Sequence, residues 1–291
     1  MAAEPGARLI AGGTGLLPNM RLGLEQPRLL VSLERVAELQ TIEPRGRGLR
    51  IGAGVPLARL AGLPEPYRAL REAAAAVGAP AHRAAGTVGG NLCLDTRCLY
   101  YNQSEEWRAS HHYCLKRGGE TCHVAPKGKL CRAAFSGDLA AAALVLEAEV
   151  EIAGYGGVLD VRPLQKLYRD DGARAIVLEP GEIVAALRLP GLHVRSGYAK
   201  ARRRAAIDFP LAGVAMALGA DRLRVALTGT NSSPLLLAGT APGMTPAALA
   251  KQVQKQVKPL RTTIGAADYR RQVAAVLARR LLARLTQGEA S

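Results

Sequence analysis

AGGTGLLPN, residues 11–19, follows the short apolar run Arg8-Leu9-Ile10 and is answered further along by a second glycine loop, GTVGGN, residues 86–91. Consecutive glycines let backbone N–H groups approach an anion closely, so each loop suits a pyrophosphate, although each also suits a tight turn. Neither is the Rossmann fingerprint, which needs G-x-G-x-x-G between strand and helix followed by an acidic residue, and neither is a P-loop. Two such loops, each supplied with Thr and Asn, fit one dinucleotide clamped from both sides.

Around these loops the chain alternates short strands and helices. RLLVSL (28–33) and Leu49-Arg50-Ile51 are further apolar runs in a glycine-punctuated N-terminal region. Leu70, Ala73, Ala74 and Val77 follow helical spacing, with Gly78 placed to end the helix. A helix is expected from Asp138, with Ser136 and Asp138 as N-cap candidates before LAAAALVL. Val150 and Ile152 then alternate with Glu149 and Glu151, GYGG (154–157) turns, and Val158–Val161 returns as a strand. Glu182–Leu189 is another strand, closed by Pro190-Gly191, which marks a domain boundary. Beyond it Leu223, Val225 and Leu227 form a strand, and Ala274, Leu277, Ala278, Leu281 and Leu285 one face of a final helix.

The chain has 291 residues, 48% hydrophobic, with a net charge of +15. No apolar run reaches the length of a membrane span. No basic and apolar leader opens the sequence, so a cytoplasmic location is expected. The basic surplus is spread along the chain apart from Arg202-Arg203-Arg204, and aromatic residues are only 4%. Base stacking on a basic groove is therefore poorly supported, and neither nucleic acid nor a membrane is expected as partner. An acidic electron-carrier protein or acidic partner subunits account for the charge equally well.

All five cysteines lie between 93 and 131: Cys93, Cys98, Cys114, Cys122 and Cys131. In a cytosolic chain such a cluster points to metal or redox chemistry rather than disulfides. No C-x-x-C pair is present. Zinc, with help from His111, His112 or His123, and a four-thiolate iron–sulfur cluster both stay open. The host segment, about 95–135, is polar, turn-rich and without periodicity, so it needs something other than its own apolar surface to order it.

With RIGAG (50–54), HRAAGTVGGNLC (82–93), SGDLA (136–140), EPGEIVAALRLP (179–190) and RTTIGAADYRR (261–271), the first glycine loop resembles the FAD-binding subunits of molybdenum hydroxylases, the xanthine dehydrogenase and carbon monoxide dehydrogenase relatives. Within that family, NLCLDTRC, YYNQSEEWR, YCLK, CHV and Cys131 are similar to the insertion of the beta subunits of 4-hydroxybenzoyl-CoA reductases, which carry an extra [4Fe-4S] cluster.

The resemblance implies an α+β (mixed α/β) chain: a PCMH-type FAD-binding domain over 1–193, with an iron–sulfur loop inserted at 95–135, and a small C-terminal α+β domain over 194–291. It implies that Leu9, Ile10, Ala11, Gly12, Gly13, Thr14, Gly15 and Leu16 wrap the pyrophosphate. Thr87, Val88, Gly89, Gly90 and Asn91 would approach from the other side, and Val77 and Leu94 would lie by the flavin ring. Asp138 would bind cofactor hydroxyls, Leu178 would sit beside the adenine or ring, and Lys200 near the flavin. On residue type alone Asp138 reads as a helix cap and Lys200 as an exposed strand cation.

Cys98, Cys114, Cys122 and Cys131 would each bind one iron, leaving Cys93 as a buried bystander. The implied partners are a molybdopterin-containing large subunit and a [2Fe-2S] small subunit in a dimer of heterotrimers, with ferredoxin as electron donor. No residue is assigned to substrate catalysis. Other readings are the FAD subunit of another molybdenum hydroxylase serving a different acceptor, and a basic zinc-binding interaction module. Two departures stand out. Gly15 replaces the Asp of the family's usual GGTD, and the chain begins almost at the first glycine loop, which implies a late start or a trimmed N-terminal subdomain.

Overall fold

In the computed structural model, which describes residue 4, residues 6–157 and residues 159–287, the alanine-rich run Asp138–Val145 is a helix with every residue buried. In chain order the elements are β1 (Ala7–Ile10), α1 (Leu16–Arg21), β2 (Leu29–Ser32), β3 (Ile42–Arg45), β4 (Gly48–Gly52), α2 (Arg68–Ala75), α3 (Pro80–Ala85), α4 (Val88–Leu92) and α5 (Glu105–Ser110). They continue with α6 (Asp138–Val145), β5 (Glu149–Ala153), β6 (Leu159–Pro163), β7 (Ile183–Leu189), β8 (Arg195–Ala201), β9 (Ala212–Leu218), β10 (Leu223–Thr228), β11 (Leu235–Leu236), α7 (Pro246–Gln256) and α8 (Ala267–Gln287).

β1 and β2 pair in parallel beside the first glycine loop. A five-stranded antiparallel sheet runs β3-β4-β7-β5-β6, and a four-stranded one runs β11-β10-β9-β8. The helix α6 lies between the two halves, packed on α2, β9 and β10. Its alanines carry only a methyl group, which lets neighbours approach on every side, so the run lacks an exposed face. One core therefore joins Leu70, Leu139, Val150 and Leu187 to Ala215 and Ala226 of the second sheet. The other face of that sheet packs Val214, Met216 and Val225 against Leu249, Val253, Ala278 and Leu281 of α7 and α8.

Three sequence expectations change here. Neither Ser136 nor Asp138 caps α6. Gly137 occupies the cap position, Asp138 is already helical, and the Leu139 N–H donates to Asn91 Oδ1 at 2.9 Å. The alternation along β5 also fails at Glu151, which is buried, because the register with β7 shifts between Glu151 and Ile152. Arg50 from β4 (3.0 Å) and Arg188 from β7 flank its carboxylate, with Arg45 at 3.7 Å. Burial alone would raise the Glu151 pKa, but the arginine hydrogen bonds outweigh it and hold it low. The expected strand Val158–Val161 is seen as Leu159–Pro163, with Val158 outside the described residues.

Buried guanidinium groups order the segment 95–135. Arg108, fully buried, donates to Gln103 O and to Leu22 O (3.0 Å) and pairs with Glu105. Arg117 reaches Gly23 O at 3.0 Å. Arg97 and Ala134 exchange two backbone hydrogen bonds of 2.8 Å, closing the base of the loop, and the Leu99 N–H donates to Thr262 O. Arg270, also fully buried, gathers Leu211 O (3.0 Å), Leu260 O (2.6 Å), Thr262 Oγ1 and Gly229 O. Burial lowers its pKa to about 10. No described helix is long and apolar enough to cross a membrane.

Candidate functional site: two adjoining cavities

The two glycine loops meet. A Cβ on Gly12 would stand 1.7 Å from the carbonyl oxygen of Ala85, at the end of α3, so only glycine permits this approach. The second loop is held in turn by the segment after β4. The Gly89 N–H donates to Ala53 O at 2.7 Å and the Val88 N–H to Val55 O at 3.0 Å. Thr87 caps α4, its hydroxyl accepting the Gly90 N–H at 3.1 Å.

Between the loops lies an elongated cavity of about 530 Å³. Its wall contains Leu9, Ile10, Ala11, Gly12, Gly13, Thr14, Gly15 and Leu16 from the first loop, and Thr87, Gly89, Gly90 and Asn91 from the second. Val77, Leu94, Leu178, Asp138 and Lys200 complete the expected set. Val88 is the exception. Fully buried, it turns into the core beside Leu92 and Leu139, because the first turn of α4 puts its side chain opposite the glycine face.

Asp138 and Lys200 form a buried ion pair, each side chain only 4% exposed, at 3.0 Å. The Tyr198 hydroxyl donates to the other carboxylate oxygen at 2.5 Å, and the Lys200 ammonium donates also to Ala76 O. The exposed-cation reading of Lys200 is thereby corrected: α2 packs on β8, and Asp138 at the start of α6 reaches its Lys200 and Tyr198. Burial raises the Asp138 pKa against the pull of Lys200 and Tyr198. The wall further includes His82, Ser136, Glu182, Asp208, Phe209 and Cys93, which sequence reasoning did not assign. His82 and Glu182 lie inside motifs already quoted, whereas Asp208 and Phe209 had no local signal. Two buried polar atoms of the wall residues, Asp95 Oδ2 and Arg97 Nε, have no protein partner, and both suit a polar ligand. Arg97 otherwise lies over the Phe209 ring and donates to Asn19 Oδ1.

A second, small cavity of about 10 Å³ lies in the segment 95–135, lined by Cys98, Cys114, Cys122 and Cys131 with Tyr100, Tyr101, Lys116, His123 and Val124. All four thiols are buried, and burial pushes Cys98 up to about 11 and Cys131 to about 12. Cys93 does not join them. It faces the larger cavity, with its thiol raised by burial to about 12.

Among the described residues no three His, Cys, Asp or Glu side chains are grouped to hold a metal ion. The histidines have other uses: His123 Nε2 lies 2.8 Å from Tyr113 O, and His111 stacks on Trp107.

The family model described as "FAD binding domain in molybdopterin dehydrogenase" matches residues 1–192. The chain is 34% identical over 247 residues to the aldehyde oxidoreductase FAD-binding subunit PaoB of Escherichia coli K12, covering 79% of this chain and 76% of that protein. It is 27% identical over 298 residues to the carbon monoxide dehydrogenase medium chain of Afipia carboxidovorans, covering 96% and 88%. Quinoline 2-oxidoreductase from Pseudomonas putida 86 superposes with a TM-score of 0.75 at 22% identity, over 99% of this chain and 92% of that one, which bears on the fold. The chain belongs to the family of FAD-binding domains of molybdopterin dehydrogenases, as an FAD-binding oxidoreductase subunit of the molybdenum hydroxylase type.

Proposed function

We propose that this chain is the beta subunit of a 4-hydroxybenzoyl-CoA reductase: an electron-transfer subunit carrying FAD and a [4Fe-4S] cluster. The observation that carries this reading is the convergence of Cys98, Cys114, Cys122 and Cys131 on one small cavity, in a segment that adjoins the flavin cavity at Asp95 and Arg97. FAD, when bound, exchanges electrons singly or in pairs, and a cubane cluster moves them singly. Four buried thiols lining one cavity match the donor set of a cubane with one thiolate per iron.

In this reading residues 1–193 form the FAD domain, 95–135 the cluster loop and 194–291 the second domain. The glycine loops hold the pyrophosphate through backbone N–H groups. Asp138, fixed by Lys200 and Tyr198, accepts hydrogen bonds from cofactor hydroxyls, while Val77, Leu94 and Leu178 give the ring an apolar wall that excludes water. Reduced ferredoxin supplies two electrons at the basic surface of this chain, and a [2Fe-2S] small subunit passes them to a molybdopterin-containing large subunit. There, with two protons, 4-hydroxybenzoyl-CoA becomes benzoyl-CoA and its phenolic hydroxyl leaves as water. The assembly is cytoplasmic and built as a dimer of heterotrimers.

The 34% identity to an aldehyde oxidoreductase subunit favours a second reading, the FAD subunit of a molybdenum hydroxylase that passes electrons outward to another acceptor. Anaerobic purification of the intact complex separates the two. Iron in excess of the small subunit's clusters, together with dehydroxylation of 4-hydroxybenzoyl-CoA, supports the first. FAD without that extra iron points to the second.

A further inference from the structure

Lys116 is a buried cation with a side chain only 6% exposed, set between the two cavities. Its ammonium group lies 2.6 Å from Asp95 Oδ1 and 2.6 Å from Thr96 Oγ1, and 4.2 Å above the centre of the Tyr101 ring. Among the described residues it is the one Lys or Arg lining the cysteine cavity, whereas Asp95 lines the flavin cavity. Thr96 is itself locked, its hydroxyl donating to Gly172 O at 2.5 Å. The ammonium is thus held in one place beside the cysteine cavity.

Burying a lysine costs several kcal/mol unless its charge is met. Asp95 meets it from the far side: its carboxylate is 38% exposed and lines the larger cavity, not the cysteine cavity that Lys116 lines. The remaining positive potential falls on the cavity of four thiols. A fixed charge acts strongly there because little water intervenes to screen it.

We infer that Lys116 is a positioning residue that raises the reduction potential of the cluster held by the four cysteines, with Asp95 as the counter-charge that moderates it. This rests on the cluster reading above. The sign follows from electrostatics: each added electron makes the cluster more negative, so a nearby cation favours the reduced state and a nearby carboxylate opposes it.

The test is a redox titration of the cluster by electron paramagnetic resonance in the intact complex, comparing wild type with Lys116→Gln, Lys116→Arg and Asp95→Asn, with iron and FAD counted in each. Lys116→Gln is expected to lower the reduction equilibrium constant at least tenfold, which is about 59 mV for one electron. Lys116→Arg restores a potential near wild type, and Asp95→Asn shifts it upward. Should Lys116→Gln fail to hold iron, Asp95→Asn decides alone: a raised potential supports the inference and an unmoved one overturns it. Unmoved potentials with full iron and FAD in both charge-removing variants overturn this inference and leave the cluster reading standing. Wild-type complex with FAD but without the additional iron removes both.

Discussion

Gly12→Ala tests whether the cofactor cavity depends on the contact between its two glycine loops. The new methyl carbon would stand 1.7 Å from Ala85 O and 2.4 Å from the Ala85 carbonyl carbon. Unbonded heavy atoms settle at about 3.5 Å, so the loops must part by roughly 1.5 Å or more. Overpacking of this kind costs about 1–3 kcal/mol, and that cost rises when FAD must draw the loops together again. At about 1.4 kcal/mol per tenfold, FAD affinity falls about ten- to hundredfold. Gly15→Ala is the control in the same loop, because a Cβ there would meet only Leu94 Cδ1 at an ordinary 3.7 Å. Titration of the apoprotein with FAD, followed by quenching of flavin fluorescence, measures both. The reasoning is refuted if Gly12→Ala binds within twofold of wild type, or if Gly15→Ala is equally impaired.

Other perturbations probe the frame around the site. Asn91→Ala deprives the Leu139 N–H of its acceptor at the start of α6 and should cost about 1–2 kcal/mol in denaturant unfolding, with Asn91→Asp recovering most of it. Lys200→Met strands the Asp138 carboxylate among buried neighbours and should destabilise by about 3–5 kcal/mol. Adding Asp138→Asn should return part of that, and thermal melting of the single and double variants checks it. Glu151 has its pKa held below the usual carboxylate range, so the stability it contributes is complete above the unfolded value of about 4.3 and is lost as pH falls through the lower folded value. Glu151→Gln should accordingly flatten the acid limb of a stability–pH profile below that point, and an unchanged slope would contradict the buried arginine-carboxylate cluster.

Features carried by local chemistry were readable in the sequence. The glycine loops, the strand through Leu223, Val225 and Leu227, and the helical face of Ala274 to Leu285 each obey a short-range rule. The division of the cysteines into four plus Cys93 comes instead from the family resemblance, because their spacing alone leaves zinc and an iron–sulfur cluster both open. What depended on distant partners was hidden. The helix cap at α6 comes from Asn91, across the intervening cysteine segment, and Glu151 is buried because arginines on three other strands and a register shift make it so. The strand β9, AGVAMAL, shows no alternation because both its faces are covered, one by α6 and the other by α8. Arg108 and Arg270 look like surface charges, yet each is enclosed by carbonyl oxygens from several loops. Asp208 and Phe209 reach the cavity only through the turn between β8 and β9. The same limit explains Val88: the loop that contains it was legible, but not which way one side chain turns at the first residue of a short helix.

The central claim is that this chain holds an iron–sulfur cluster beside its flavin, and metal and flavin content of the anaerobically purified complex tests it most directly, with Cys114→Ser and Cys93→Ser alongside. One FAD and about four iron atoms per chain beyond those of the small subunit are predicted for wild type and for Cys93→Ser. Cys114→Ser is predicted to lose the cluster's absorbance and magnetic signal while keeping FAD. A wild-type complex with full FAD and no such additional iron would contradict the account, as would a Cys114→Ser variant that retained the cluster while losing its flavin.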